Sequence, residues 1–421
     1  MLVQFTVGNF LSFKDQRTLN LEAKGISELK SNITTYEKNK LLKSSVIYGA
    51  NSSGKSNLIK AFQRMREVVL TSVRLNDSDE LNYSPFLLST ESEDKPTFFE
   101  IIFWKDRIKY RYGFEYTGEC IINEWLFSGS SEKKEKPFFI RTKDGIGVNE
   151  KFKEGEQNES KTNNNRLFIS LVAQLGGGIS KKVLEFFNSY NVLSGLEHND
   201  YTGFTMRMLH KNLNGSIESL KLFQKLKLGF KEINAVESDF KPNKIPDYID
   251  FKTKTKLIKD LSGTKAISLK TIHNKFDKKG NIVDVVIFDK VLNESEGTNK
   301  IIDLSGPIFD TLNLGKILII DELDAKLHPL ITIRIVELFN NPESNPNNAQ
   351  LIFATHDTNL LGEELFRRDQ IWFTEKDEQE QTDLYSLYDF NLPDGSKVRN
   401  DSNLERNYIR GRYGAIPFIT I

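Results

Sequence analysis

Apolar and polar residues alternate through positions 1–23, with Val3, Phe5 and Val7, then Phe10 and Phe13, then Leu19 and Leu21. A period of two predicts short strands, with Gly8-Asn9 as the first turn. A short run, Ser45-Val46-Ile47-Tyr48, predicts a buried strand, after which the spacing turns helical: Leu58, Ile59, Phe62, Met65 and Val69 share a face. Strand character returns at 97–104, 108–116 and 120–127, with turns at Asp106 and Gly118. Residues 151–165 are polar and predict an exposed loop, and Gly176-Gly177-Gly178 makes a second break. Further on, Leu220, Phe223, Leu226 and Phe230 recur at helical spacings. Two strongly apolar strands, 317–320 and 351–354, flank a helix from about Pro329 to Phe339. Strand, helix and strand at this spacing predict a parallel pair in an α/β sheet.

The turn between the first buried strand and its helix carries the chemistry. Gly49, Ala50, Asn51, Ser52, Ser53, Gly54, Lys55 and Ser56, followed by Asn57, spell G-x-x-x-x-G-K-S. In strand–turn–helix context this is a phosphate-binding loop. Its glycines let backbone N–H groups converge on phosphate oxygens, aided by the helix N-terminus. Lys55 is expected to reach the β- and γ-phosphates of ATP, and the Ser56 hydroxyl to ligate Mg²⁺. The strand at 317–320 ends in Asp321-Glu322. Asp321 is expected to hold Mg²⁺ through water or Ser56, and Glu322 to polarise the attacking water as a general base. Thirty-four residues after Glu322, the next apolar strand ends in Thr355-His356-Asp357, which places His356 at an edge from which it can reach a γ-phosphate.

An Asp-Glu strand, then Leu327-His328-Pro329, then a strand ending Ala-Thr-His resembles the ABC-type ATPases of the SMC and RecF group. The resemblance implies a P-loop NTPase head of ABC type: α/β, with a mostly parallel core sheet, an antiparallel side-sheet and a largely helical insertion. Residues 1–175 are then the N-terminal half of the head, 176–284 a helical arm or lid, and 285–421 the C-terminal half. Ser295-Glu296-Gly297-Thr298 stands where that group has its signature sequence, so Ser295 and Gly297 are expected to cap the γ-phosphate bound by a second protomer. Leu304-Ser305-Gly306 is a second match, interrupted by Pro307. Gln174 is the candidate magnesium-sensing glutamine, and Asp324 a candidate contact to the partner protomer's site.

More narrowly, the chain is similar to the AAA15 family of predicted ATPases. The residues that carry this likeness are Asn9-Phe10-Leu11-Ser12-Phe13-Lys14-Asp15, the phosphate loop, Phe168-Ile169-Ser170, Glu294 to Thr298, Asp321 to Pro329, Thr355-His356-Asp357, and Gly411-Arg412-Tyr413-Gly414-Ala415-Ile416-Pro417. That likeness implies a prokaryotic anti-phage module of the abortive-infection AbiL (RloA-type) or PARIS kind. It also implies a homo-oligomer, at least a dimer, with a separate Toprim-like or RloB-like effector. Sixty-five residues follow His356, too few for an appended Toprim nuclease. Glu375 and Asp377 near Trp372 read as a turn after an edge strand, and Arg410 and Arg412 as anchors of the last segment.

Composition narrows the partners. Formal net charge is zero, which argues against a globally basic nucleic-acid wrapper. Residues 221–280, however, hold 15 lysines, no arginine and 7 acids, an excess of 8 positive charges. Such a stretch suits nucleic-acid phosphates, a solvated helical surface or an acidic protein partner. The single cysteine, Cys120, excludes an internal disulfide and fits a reducing cytoplasm. No apolar stretch approaches the roughly 20 residues of a membrane span. Two further readings of the same site residues are a DNA-repair or SMC-like ATPase and an ATP-stabilised scaffold that sequesters a toxin.

Overall fold

The computed structural model describes residues 1–129, 135–197, 199–240, 242, 250–399 and 401–417. It contains two compact units: residues 1–196 with 314–421, and residues 197–313.

The first unit is built on two sheets. Its core sheet runs in the order Tyr190–Ser194, Ile317–Asp321, Gln350–Ala354, Ser44–Tyr48, Ile371–Lys376, Thr382–Ser386. The first five strands are parallel and the last is antiparallel. Ser44–Tyr48 and Gln350–Ala354 are buried at every position, as parallel strands covered on both faces must be. The two serines that this burial would orphan are bonded: Ser44 Oγ donates to Asn340 Oδ1 at 2.8 Å, and Ser45 Oγ to the Gln370 carbonyl at 3.3 Å. The side sheet is antiparallel and seven-stranded, ordered Gly145–Val148, Lys136–Thr142, Ile121–Ser128, Ile108–Tyr116, Thr97–Lys105, Leu2–Gly8, Arg17–Asn20. Between the sheets lies helix Lys55–Thr71, which buries Leu58, Ile59, Ala61, Phe62, Met65, Val68 and Val69. Phe62 stacks on Phe5 of the side sheet with ring centroids 3.7 Å apart. Each of these side chains larger than Ala61 contributes about 1.5–3 kcal/mol on burial, so the helix behind the phosphate loop is fixed to both sheets.

Residues 151–165 are a largely exposed loop, as expected, but one tied to the core at several points. They form short 3₁₀ turns that bury Phe152 and Asn165. Glu154 accepts from the backbone N–H groups of Ile179 and Ser180 and so caps helix Gly178–Asn188. Glu154 thus serves backbone groups, while residues such as Lys151, Lys153, Gln157 and Lys161 face solvent.

The second unit has more helix than strand, but it also carries a small sheet that the sequence reading of 176–284 did not include. It holds helices Asn199–His210, Ser216–Leu226, Phe251–Leu261 and Glu296–Leu314. Beside them is a three-stranded antiparallel sheet of Glu232–Asp239, Lys265–Phe276 and Ile282–Asp289. The unit also begins and ends later than expected, at 197 and 313. Part of its basic stretch, 241 and 243–249, lies outside the described residues. Helix Glu296–Leu314 continues through Pro307. The ring removes the N–H that would bond the Asp303 carbonyl, and Thr205 Oγ1 donates to that carbonyl instead at 2.5 Å. A side chain at Gly306 would collide with Thr205, 2.2 Å from its hydroxyl, so the glycine permits this approach.

Candidate functional site

The phosphate loop leaves the C-terminal end of Ser44–Tyr48 and enters helix Lys55–Thr71, at the strand edge where α/β sheets bind ligands. The loop's glycines are sterically required. A Cβ on Gly49 would lie 2.4 Å from Ser53 Oγ and 2.5 Å from the Thr374 carbonyl oxygen. Gly54 has φ +112° and would meet Thr382 Oγ1 at 2.2 Å.

Residues distant in sequence brace the loop. Ser53 Oγ and Thr374 Oγ1 are 2.6 Å apart, and Thr382 Oγ1 lies 2.9 Å from the Ser53 carbonyl oxygen and 2.7 Å from Ser12 Oγ. Asn57 Nδ2 donates to the same Ser12 hydroxyl at 2.8 Å. Ser12, Thr374 and Thr382 were not singled out for this role by sequence reasoning. Ser12 lies within the Asn9–Phe13 motif, the one signal that could have found it.

Lys55 is only 5 % exposed, and its Nζ donates to the carbonyls of Gly49 at 2.8 Å and Ala50 at 3.1 Å. Burial lowers its pKa to about 8, against the opposing pull of Asp321, Glu322 and Asp324. The three acids are therefore close enough to act on the lysine electrostatically.

Asp321 closes strand Ile317–Asp321. Its Oδ1 is buried, and no donor among the described residues reaches it. Glu322 follows with φ +52°, a left-handed conformation that a side chain adopts at a cost and that clusters at functional sites. Gly195, at the end of the neighbouring strand, packs against this turn. Its N–H donates to the Asp321 carbonyl at 2.6 Å, and a Cβ there would lie 1.9 Å from the Glu322 carbonyl oxygen.

Asp324 accepts from Thr355 Oγ1 at 2.7 Å, so the turn after Asp-Glu is tied to the end of the next strand. His356 follows Thr355 and is exposed. Its pKa is lowered by partial burial and by Lys55, with Asp324, Glu322 and Asp321 opposing. His328 caps helix Pro329–Asn340, its Nδ1 accepting from Leu330 N at 3.3 Å.

His356 and Thr358 line an open cleft of about 720 Å³ with Gly49, Ala50 and Asn51. Its other wall is Tyr408, Ile409, Ile416 and Pro417, which brings the C-terminal motif beside the phosphate loop. That segment is anchored by tyrosines rather than by Arg410 and Arg412, which are exposed. Tyr413 is buried and its carbonyl accepts from Tyr385 Oη at 2.8 Å, while Tyr408 Oη donates to the Ala415 carbonyl at 3.1 Å. Glu375 Oε2 lies 3.0 Å from the same Tyr385 hydroxyl, and Asp377 accepts from the N–H groups of Gln379 and Gln381 within its own turn.

Gln174 is the exposed last residue of helix Phe168–Gln174 and makes no hydrogen bond to the phosphate loop among the described residues. In the second unit, Ser295 is exposed and stands at the start of helix Glu296–Leu314, where its Oγ accepts from Thr298 N at 3.1 Å. Gly297 lies in the first turn of that helix. Leu304, Ser305 and Gly306 are buried inside the same helix, so that second match is structural.

Phosphate-loop strand, Asp-Glu strand and histidine strand lie side by side and parallel, with their functional residues at one edge. This arrangement defines a P-loop nucleotide-binding fold. The chain belongs to the family described as AAA domain, putative AbiEii toxin, Type IV TA system, which it matches over residues 44–362. Membership implies nucleotide binding and hydrolysis.

No curated protein matches the chain. Among solved structures it is similar to the SMC head domain from Thermotoga maritima, at 14 % identity and a TM-score of 0.40, covering 91 % of this chain and 98 % of that one. An SmcHead bound to the C-winged helix domain of ScpA gives 14 % and 0.44, covering 91 % and 97 %. The Smc head domain with an extended coiled coil, bound to the C-terminal domain of ScpA derived from Pyrococcus furiosus, gives 12 % and 0.39, covering 91 % and 96 %.

Proposed function

We propose that this chain is an ABC-type, Mg²⁺-dependent ATPase whose sites are completed between two protomers, and that it controls a separate effector in prokaryotic anti-phage defence. The observation that carries the ATPase reading is the buried, undonated Asp321 Oδ1 at the strand end, in the electrostatic neighbourhood of Lys55. An acceptor of that kind suits a hydrated divalent cation, and the cradle around Gly49 and Gly54 suits phosphate oxygens.

Ser56 and Asp321 would hold Mg²⁺, with Gln174 as a further candidate, and the ion would neutralise charge on the phosphates. Lys55 would leave its loop carbonyls for the β- and γ-phosphates, which restore the positive charge that burial opposes. Glu322 would orient and polarise the attacking water, and His356 would face the γ-phosphate from the cleft. Ser295 and Gly297 of the second protomer would present the N–H groups of a helix start to the same phosphate. Catalysis in such a site is positioning and charge neutralisation.

The test is Glu322→Gln. It should retain ATP, lower turnover by roughly 10²-fold or more and trap the closed assembly. Undiminished turnover would remove Glu322 from its role.

The defence role and the Toprim-like or RloB-like effector rest on the AAA15 likeness. A second reading, contact with nucleic acid, draws on helix Phe251–Leu261, which buries no residue and carries Lys252, Lys254, Lys256 and Lys259. It predicts DNA- or RNA-stimulated turnover that disappears when these lysines are neutralised.

A further inference from the structure

The strand Lys265–Phe276 is at the centre of the second unit's sheet, and two of its side chains converge on Glu294, the residue before Ser295. Thr271, fully buried, donates from Oγ1 to Glu294 Oε1 at 2.5 Å. His273 Nε2 lies 2.8 Å from the same oxygen. The Glu294 carboxylate is nearly buried, its side chain 8 % exposed.

The imidazole is held in turn. Its ring packs at 4.4 Å from the Phe288 ring centroid and 6.3 Å from that of Phe230. A buried carboxylate with one oxygen held by two donors has one low-energy place to be. From Glu294 the hold passes directly to the helix start: its backbone carbonyl accepts from Asn299 Nδ2 at 3.3 Å, and Ser295 O accepts from Asn299 N at 2.9 Å. Deeper in the helix, the buried ion pair of Lys290 with Asp303 at 2.6 Å pins the same helix to the chain leaving strand Ile282–Asp289. Ser295 itself is exposed and, among the described residues, its hydrogen bonds are to Thr298 and Asn299, so its place is set by Glu294 on one side and the helix on the other.

We propose that His273 and Thr271 are positioning residues for the shared ATP site. Through Glu294 they set where Ser295 and the first turn of helix Glu296–Leu314 stand, and they couple the three-stranded sheet to hydrolysis. This rests on the reading of Ser295 as a contact to the partner protomer's nucleotide.

The experiment measures ATP turnover at saturating protein, single-chain affinity for a fluorescent ATP analogue, and thermal midpoint. The variants are His273→Ala, His273→Gln, which keeps a donor near the Nε2 position, and Ser295→Arg. The expected result is that His273→Ala lowers kcat by roughly tenfold, the scale of one hydrogen bond to a charged group. Its analogue affinity should match wild type, and His273→Gln should recover most of kcat. If Ser295→Arg abolishes turnover while His273→Ala leaves kcat unchanged, or if His273→Gln is as impaired as His273→Ala at an unaltered thermal midpoint, the positioning role is overturned and the shared site stands. If Ser295→Arg leaves turnover unchanged, the shared-site reading fails and this inference falls with it.

Discussion

Replacing Lys55 with methionine tests the electrostatics of the phosphate loop before any nucleotide is added. The lysine is 5 % exposed, and burial lowers its pKa from 10.5 to about 8. Between those values the unfolded chain binds a proton at this position that the folded chain does not, so folded wild type gains stability as pH rises. Lys55→Met keeps the packing and removes the titration. Comparing wild type with the variant at each pH cancels every other group that titrates equally in both. A drop from 10.5 to about 8 makes wild type gain ~2.5 kcal/mol on the variant between about pH 7 and about pH 10. Urea unfolding at the two pH values measures it. At the lower pH, saturating ATP with Mg²⁺ should stabilise wild type and leave the variant unmoved. A wild-type-minus-variant difference that is flat with pH would refute the claim that burial of the charge dominates at Lys55.

Three further outcomes follow from the same geometry. Gly195→Ala places a Cβ 1.9 Å from the Glu322 carbonyl oxygen, so the Asp-Glu turn must shift. Turnover should fall by roughly 10²-fold, the cost of about 1 Å of misplacement, while ATP-analogue binding persists. Asp321→Asn should raise the Mg²⁺ concentration for half-maximal turnover by about tenfold or more, read from a metal titration at fixed ATP. Phe62→Ala removes the ring stacked on Phe5 between the two sheets; the unfolding midpoint should drop by the equivalent of about 3–5 kcal/mol.

The parts of this fold that were legible in the sequence are those whose signals are local. The phosphate loop needs only eight adjacent residues and their flanks, and strands Ile317–Asp321 and Gln350–Ala354 are apolar runs that no solvated element tolerates. What was not legible depends on pairs far apart in the chain. Ser12, Thr374 and Thr382 meet the phosphate loop only after the sheets assemble, and the wall of Tyr408, Ile409, Ile416 and Pro417 arrives from the opposite end of the chain. The sheet of the second unit was missed because its edge strand, Ile282–Asp289, is exposed at six successive positions and so lacks the one-sided alternation that marks a strand. That the helix runs on through Pro307 is not legible either, because the missing donor is supplied by a threonine from another helix. The polar composition of 151–165 marks a solvated loop, but not that Glu154 and Asn165 bond half-buried backbone groups of distant segments.

In the proposed mechanism the ATP site is shared between chains. This sharing is tested most directly by ATP turnover per protomer across a roughly hundredfold range of protein concentration, with Mg²⁺ present and no partner added. Association by mass action predicts a rate per protomer that climbs with concentration and then levels, and Ser295→Arg should flatten it. A measurable rate that is constant per protomer across the whole range, and unaffected by Ser295→Arg, would mean that one chain hydrolyses ATP alone and would rule out a shared site.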